Sequence, residues 1–205
     1  MNTVFVHPER CIGCRQCEFA CAVAHSKSQV ALAALTEEPP PRSRIHVAAG
    51  ATTLTSFPVK CRHCEPAPCL SVCPTGAVYR DADLGLVLID QRKCISCAMC
   101  AMVCPFDALS FHALSNGADA HTVAVKCDGC VDRLRQGQEP ACVEACKVNA
   151  LEFGDLNEIA ASGRASEAEA VLLATVSVET VSARVPDNVT AWRALNRSAA
   201  ETREV

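Results

Sequence analysis

The sequence predicts an α+β fold: two nested cysteine-rich units of short antiparallel strands and short helices, followed by a partly helical C-terminal extension. Three observations carry this. Sixteen cysteines in 205 residues fall into four groups of four with none left over. Between the groups run short segments of alternating apolar character bounded by Gly, Pro and Asp, the pattern of brief strands and tight turns. Only eight residues are aromatic (one Trp, one Tyr, six Phe), too few to fill an ordinary core of this size, so the interior must be organised by the cysteines.

The elements follow in order. Asn2 to Val6 reads as a strand leading into the first group, Cys11, Cys14, Cys17 and Cys21, and Cys17 to His25 continues as a turn or two of helix. Residues 26–56 lack cysteine and form an insertion, its role surface packing or partner contact. Within it VALAAL is helical in pattern, the proline run of EEPPPR is extended, and Arg44 to Ala48 is a strand. Residues 57–112 form an inner unit. It holds Cys61, Cys64, Cys69 and Cys73, then a hairpin of Ala77 to Tyr79 and Leu86 to Ile89 with its turn at Asp81, Asp83 and Gly85. Cys94, Cys97, Cys100 and Cys104 follow, with a closing strand from Ala108. Residues 1–25 and 113–155 form the outer unit. There the strand HTVAV leads into Cys127 and Cys130, the polar stretch VDRLRQGQEPA is an exposed loop, Cys142 and Cys146 complete the group, and ALEFG leads out. In the extension, 156–205, Leu156 to Leu173 is mostly helical with Asn157 or Ser166 as caps, and TVSVETVSARV alternates like a strand. Pro186 breaks it, and Asp187 or Asn188 caps a last helix carrying Trp192, Leu195 and Ala199, which packs on its own domain or docks on a partner.

CISCAMCAMVCP, from Cys94 to Pro105, states the chemistry most clearly. Three cysteines at spacing three, a fourth after three more residues and then proline form the bacterial ferredoxin ligand run for a [4Fe-4S] cluster. A tight loop wraps Cys94, Cys97 and Cys100 around one cubane. Cys104 lies about one helical turn, roughly 6 Å, further on and serves a different cluster. One such run therefore predicts a second that exchanges its last cysteine with it. CRHCEPAPCLSVCP repeats the pattern with two extra residues and the same closing proline, and CIGCRQCEFAC has the regular spacing without the proline. Zinc is the alternative, since four tetrahedral sites would also use sixteen cysteines. Zinc pairs, however, have no need of a third cysteine three residues on and a fourth after three more, so the spacing favours iron-sulfur. A disulfide framework fits poorly: the chain opens MNTVFVHPER, without an apolar signal segment or twin arginine, and a reducing, cytoplasmic compartment is expected.

Charge narrows the partners. The formal net charge of −4 falls to roughly −12 once four cubanes of about −2 each are added. Nucleic acid is an unsuitable partner for such a surface, and no apolar run is long enough to span a membrane. Arg15, Lys60, Arg62, Lys93 and Lys126 are the cations near the ligand runs, each either ordinary solubilising charge or a group that tunes a cluster. The six histidines, His7, His25, His46, His63, His112 and His121, form no metal spacing; for His63, in CRHC, a supporting hydrogen bond or simple exposure is expected rather than ligation. No dinucleotide fingerprint or phosphate loop appears, so flavin or nicotinamide would sit on another subunit, and the chain is expected to be non-catalytic alone.

The four groups in this order, with FPVKCRHCEPAPCLSVCPTGAVYRD, CISCAMCAMVCPF and KCDGCVDRLRQGQEPACVEAC, resemble the four-cluster iron-sulfur subunits of the dimethyl sulfoxide reductase superfamily over about residues 1–155. Within it the chain is most similar to the short soluble branch serving formate dehydrogenases, hydrogenases and carbon monoxide dehydrogenases. Polyferredoxin subunits of tungsten aldehyde oxidoreductases are similar in kind. The resemblance implies four ligand sets: Cys11, Cys14, Cys17 with Cys146; Cys127, Cys130, Cys142 with Cys21; Cys61, Cys64, Cys69 with Cys104; and Cys94, Cys97, Cys100 with Cys73. It implies paired cubanes about 10–12 Å apart, passing single electrons between a catalytic metalloenzyme subunit and a further redox subunit or soluble carrier. The catalytic subunit would be a molybdenum or tungsten enzyme such as formate dehydrogenase or aldehyde oxidoreductase, else a hydrogenase or carbon monoxide dehydrogenase. Two alternatives stand beside it: an assembly or scaffold protein with structural clusters that self-associates through its tail, and a free polyferredoxin. Two departures are visible. The transmembrane helix of membrane-bound relatives has no counterpart in the tail, and Cys21 and Cys146 are followed by Ala22 and Lys147 where the other two runs have proline.

Overall fold

The computed structural model describes residues 2–50, 55–113 and 121–176. Those up to Ile159 belong to one compact unit, and a second unit begins at Ala160.

The chain opens with strand β1 (Asn2–Val6), a 3-10 turn at Pro8–Arg10 and helix α1 (Gln16–Ala24), then a one-turn helix α2 (Ala31–Ala34). Strands β2 (His46–Ala49) and β3 (Ser56–Val59) follow, then α3 (Pro68–Ser71), the hairpin strands β4 (Val78–Arg80) and β5 (Val87–Ile89), α4 (Met99–Met102) and β6 (Leu109–Ala113). The last part is β7 (Thr122–Lys126), α5 (Val131–Arg135), α6 (Ala141–Glu144), β8 (Leu151–Asp155) and α7 (Leu156–Val176). Helices this short cannot stand on intrinsic propensity, because a single turn fixes several dihedrals for one hydrogen bond. Packing must hold them.

The described strands form four two-stranded antiparallel ribbons. β1 pairs with β8 in the register Val6↔Leu151 to Asn2↔Asp155, which brings the two ends of the cysteine-rich region together, and α1 packs on α6 beside it. β4 pairs with β5 as the Asp and Gly turn residues predict; the Asp81 carboxylate accepts from the N–H groups of Asp83 (3.2 Å) and Leu84 (2.9 Å). β3, which pairs with β2, is not evident from the sequence, being four residues long with Pro58 inside it. β6, expected to close the inner unit, pairs instead with β7 along its whole length, Leu109↔Lys126 to Ala113↔Thr122. VDRLRQGQEPA is not all loop: its first residues make α5, whose Arg135 binds Asp81 at 2.8 Å.

Two buried clusters make the core, and cysteine is a major part of both. One joins Ile45, Val47 and Leu151 with Cys17, Cys21 and Cys142; the other joins Val78, Val87 and Ala124 with Cys100. Ile45, Val87 and Val123 are each 1% exposed and contribute about 1.5–3 kcal/mol apiece by burial.

α7 is capped by Asp155, whose carboxylate accepts the Asn157 N–H at 2.9 Å, rather than by Asn157 or Ser166, and it runs unbroken past both. The strand expected in TVSVETVSARV, apart from its first two residues, and the helix around Trp192 lie outside the described residues. Among the described residues no helix is long and apolar enough to cross a membrane.

Candidate metal centres

All four cysteine groups share one backbone device. The residue just before the second cysteine of each group, Gly13, His63, Ser96 and Gly129, has positive φ, between 50° and 71°. This left-handed step bends the chain so that successive thiols face inward. At Gly13 and Gly129 a Cβ would also be crowded, lying 2.6 Å from Ser56 Oγ and 2.9 Å from a Leu86 methyl. Backbone N–H groups then aim at sulfur. His63 N–H donates to Cys61 Sγ (3.4 Å), Gly129 to Cys127 (3.4 Å), Ala124 to Cys94 (3.4 Å), Val78 to Cys73 (3.5 Å), Ala150 to Cys146 (3.2 Å) and Arg44 to Cys21 (3.3 Å).

The fold gathers cysteines that are far apart in sequence. One cavity is lined by Cys11, Cys14, Cys17 and Cys146, with Ile12, Val47 and Leu151 around them. A second is lined by Cys73, Cys94, Cys97 and Cys100, with Val78, Ile89 and Phe111. Cys142 lies within reach of the charges of Cys127, Cys130 and Cys21, and Cys69 within reach of Cys61 and Cys104. Cys64 is placed by its carbonyl, which accepts from Arg80 at 2.6 Å. All sixteen are free thiols, with Cys14 and Cys97 the exposed pair.

Two observations bear on what such sets can hold. Tetrahedral zinc with bonds near 2.3 Å requires sulfurs only about 3.8 Å apart. Among the described residues the sole group with three donor atoms within 4.8 Å of one another is His25, Asp128 and Cys130, so no cysteine quartet closes to a zinc tetrahedron. Second, the thiols are crowded into apolar surroundings. Burial pushes Cys17 and Cys127 up to about 11 and Cys130 up to about 12, and it lifts Cys142 well above the ordinary value, helped there by its neighbours' charges. Thiolates so placed need a cationic centre, which iron supplies.

Cys21 has the most elaborate surroundings. Its burial opposes the thiolate, yet His25 and the Arg44 N–H together bring the thiol below its ordinary value. His25 Nδ1 donates to the Cys21 carbonyl at 2.7 Å and lies 3.7 Å from its Sγ, while Nε2 faces the Asp128 carboxylate at 3.1 Å. Both nitrogens meet acceptors, so the ring is an imidazolium. Burial works against that charge, but the bonds to Asp128 and Cys21 outweigh it and lift His25 to about 9. Arg44 closes the corner with 2.5 Å to Asp128, whose carboxyl burial would raise but His25 and Arg44 hold well below the usual range. Sequence reasoning missed His25 and Asp128, which are 103 positions apart. The one available signal was that His25 sits one helical turn after Cys21.

Of the five cations singled out from sequence, Lys60 and Lys126 are buried and Arg15, Arg62 and Lys93 are exposed. Arg62 lies over the rings of Phe106 (5.2 Å) and Phe57 (5.9 Å). His63 is buried, as a supporting group would be, and its Nδ1 accepts the Val87 N–H at 3.0 Å. His7 pairs with Glu152 at 2.8 Å, across the β1–β8 ribbon. A larger cleft, of about 670 Å³, is lined by Arg44, Tyr79, Asp90, Lys93 and Lys126 and contains no cysteine.

Known proteins match this arrangement. A family model described as a 4Fe-4S dicluster domain fits residues 52–156. The chain is 42% identical over 160 residues to an iron-sulfur protein of Rhodospirillum rubrum, spanning 75% of this chain and 82% of that one. It is 42% identical over 165 residues to the thiosulfate reductase electron transfer subunit PhsB of Salmonella typhi, spanning 76% and 77%. To the B subunit of the anaerobic dimethyl sulfoxide reductase of Escherichia coli it is 35% identical over 167 residues, spanning 76% and 74%.

Proposed function

The chain belongs to the 4Fe-4S dicluster family of iron-sulfur electron-transfer subunits in the dimethyl sulfoxide reductase superfamily, and from that premise we propose that it holds four [4Fe-4S] clusters in a row and relays single electrons between a catalytic subunit and a second redox partner. The observation that carries the proposal is the pair of cavities each lined by four cysteines drawn from two distant groups. The four ligand sets would be Cys11, Cys14, Cys17 and Cys146; Cys21, Cys127, Cys130 and Cys142; Cys61, Cys64, Cys69 and Cys104; and Cys73, Cys94, Cys97 and Cys100. Each exchanged cysteine links the two clusters of its unit, outer (1–25 with 113–155) or inner (57–112).

Bound clusters supply reversible one-electron storage. The chain's own residues do the rest. Backbone N–H groups bond to the thiolate sulfurs, apolar walls exclude water, and His25, Lys60 and Lys126 offset negative charge in the interior. Burial supports a linear order. Cys14 and Cys97 are exposed, each two residues from an exposed isoleucine, Ile12 (69%) and Ile95 (63%); their sets also hold buried Cys17 and Cys100, but no cysteine of the other two sets is exposed. The first and last sets are therefore the two ends of the wire, and the apolar collars at Ile12 and Ile95 are where partners approach.

The catalytic partner we propose is a molybdenum or tungsten oxidoreductase subunit. Two relatives named as thiosulfate reductase and dimethyl sulfoxide reductase subunits support that class. Sixteen unpaired thiols suit a reducing, cytoplasmic setting. The test is anaerobic affinity purification with iron, sulfide, zinc, nickel, molybdenum and tungsten measured on one sample. About sixteen irons per chain, with molybdenum or tungsten on a larger co-eluting subunit, is expected. Nickel on that subunit would move the partner to a hydrogenase or carbon monoxide dehydrogenase, and zinc with little iron or sulfide would overturn the electron-transfer reading.

A further inference from the structure

Two of the four groups are preceded by the same tripeptide, Val59-Lys60-Cys61 and Val125-Lys126-Cys127. Both lysines are only 5% exposed, and both Nζ groups turn to backbone carbonyls: Lys60 to Cys61 at 3.3 Å, Lys126 to Cys127 at 3.1 Å and, by a shorter bond, to Val87. Their charges act crosswise. Lys60, on the Cys61 run, favours the thiolates of Cys127 and Cys142, and Lys126, on the Cys127 run, favours the thiolate of Cys69.

His63 stands between them. It is 5% exposed, and Val87, whose carbonyl takes Lys126, gives its N–H to His63 Nδ1 at 3.0 Å. A nitrogen that accepts cannot carry a proton, so the neutral ring holds its proton on Nε2. Among the described residues, Nε2 is the buried side-chain polar atom with no hydrogen-bond partner. Leaving a buried donor unsatisfied costs about 1–3 kcal/mol. The ring lines a cavity together with Lys60, Leu86, Cys127, Gly129 and Phe153, on the side of the Cys127 run rather than its own.

We propose that His63 donates its Nε2 proton as a hydrogen bond to a sulfur of the cluster held by Cys21, Cys127, Cys130 and Cys142, and that this residue, carried by the neighbouring cluster's ligand loop, joins the outer and inner units electrically. This rests on the four-cluster reading. A donor aimed at sulfur stabilises the more negative, reduced cluster and so raises its potential. With Nδ1 held as an acceptor by the Val87 N–H, the ring donates from Nε2 without taking up a second proton.

The test is an anaerobic redox titration of the full-length holoprotein, followed by electron paramagnetic resonance, with iron measured on every sample. His63→Asn keeps an acceptor for the Val87 N–H but cannot reach the cavity; His63→Gln restores reach for a donor. His63→Asn should keep full iron and make one cluster harder to reduce, by about tenfold in its reduced-to-oxidised ratio at fixed potential, which is 59 mV for one electron. His63→Gln should recover part of that shift. In protein labelled with 15N-histidine, pulsed resonance of the reduced sample should show a nitrogen coupling beyond the one from His25, and that coupling should vanish in the Asn variant. Full iron with all four potentials unmoved, or no such coupling in the unmutated protein, overturns the role of His63 and leaves a buried water as its partner. Iron absent from the unmutated protein overturns the four-cluster reading instead.

Discussion

The Cys21 corner and the cavity of Cys73, Cys94, Cys97 and Cys100 set cysteine sulfur in opposite surroundings. Around Cys21 the structure builds charge into the interior: the His25–Asp128–Arg44 chain touches the cysteine, and buried Lys60 acts on its neighbours. Around Cys97 it builds almost none, with walls of Ile89, Phe111 and Ala124 and one cysteine at the surface. A centre far from water needs fixed cations to carry a negative cluster, whereas a centre at the surface is neutralised by solvent. The ligands decide that a cluster binds, and the surroundings decide at what potential it works.

Removing a ligand from each site should separate them most widely. Cys142 lies in the core with Ile45, Val47 and Leu151. Cys142→Ser should lose about four irons and lower the unfolding temperature by about 10 °C, consistent with a loss of a few kcal/mol in a chain of this length. Cys97→Ser should change only the exposed cluster and leave the melting curve near that of the parent; equal destabilisation by both variants would break the contrast. Next comes the charged corner itself. Asp128→Asn leaves His25 and Arg44 uncompensated beside Cys21 and should cost about 3 kcal/mol in anaerobic denaturant unfolding, with no counterpart mutation of that size around Cys97.

Glycines sharpen the comparison further. A methyl at Gly129 meets Leu86 in addition to the strain of φ +71°, whereas one at Gly76, φ +63°, meets nothing within 4 Å. Gly129→Ala should therefore cost about 2–4 kcal/mol and Gly76→Ala about 1 kcal/mol, measured by the same unfolding. Smallest in stability is Ile95→Ala, 63% exposed beside Cys97. It should change stability by less than about 0.5 kcal/mol while slowing electron exchange with the partner, read by stopped-flow reoxidation; an unchanged rate would remove that collar from the docking surface.

The ligand pattern and several elements are legible in the sequence because they are local. The spacing of Cys94, Cys97, Cys100 and Cys104, the Asp81–Gly85 turn and the Asn2–Val6 alternation each carry their meaning within a few residues. What escapes depends on distant parts of the chain. Asp128 acquires its role only when β7 brings it to α1, and β6 takes β7 as its partner through pairing that no local pattern encodes. Cys21 and Cys146 both lack the proline that follows Cys73 and Cys104, yet they behave differently. Cys146 keeps the turn of the proline-bearing runs, with Asn149 left-handed like Gly76 and Asp107, while Cys21 sits inside α1. As cations near a ligand run, Lys60 and Lys126 look no different from three exposed ones. The repeated Val-Lys-Cys is the clue that sets them apart.

The pairing of β1 with β8 also bears on how the molecule comes into being. Strand β1 and α1 leave the ribosome well before β8 and α6, against which they pack. The inner hairpin and its cysteines are finished in between, from a contiguous stretch, and can be loaded while translation is still under way. The N-terminal thiols must wait, exposed, until the chain returns to them. Synthesis interrupted before Leu151 leaves β1 with no partner strand, so the outer sites are completed after the inner ones and are the ones most open to oxygen during that delay.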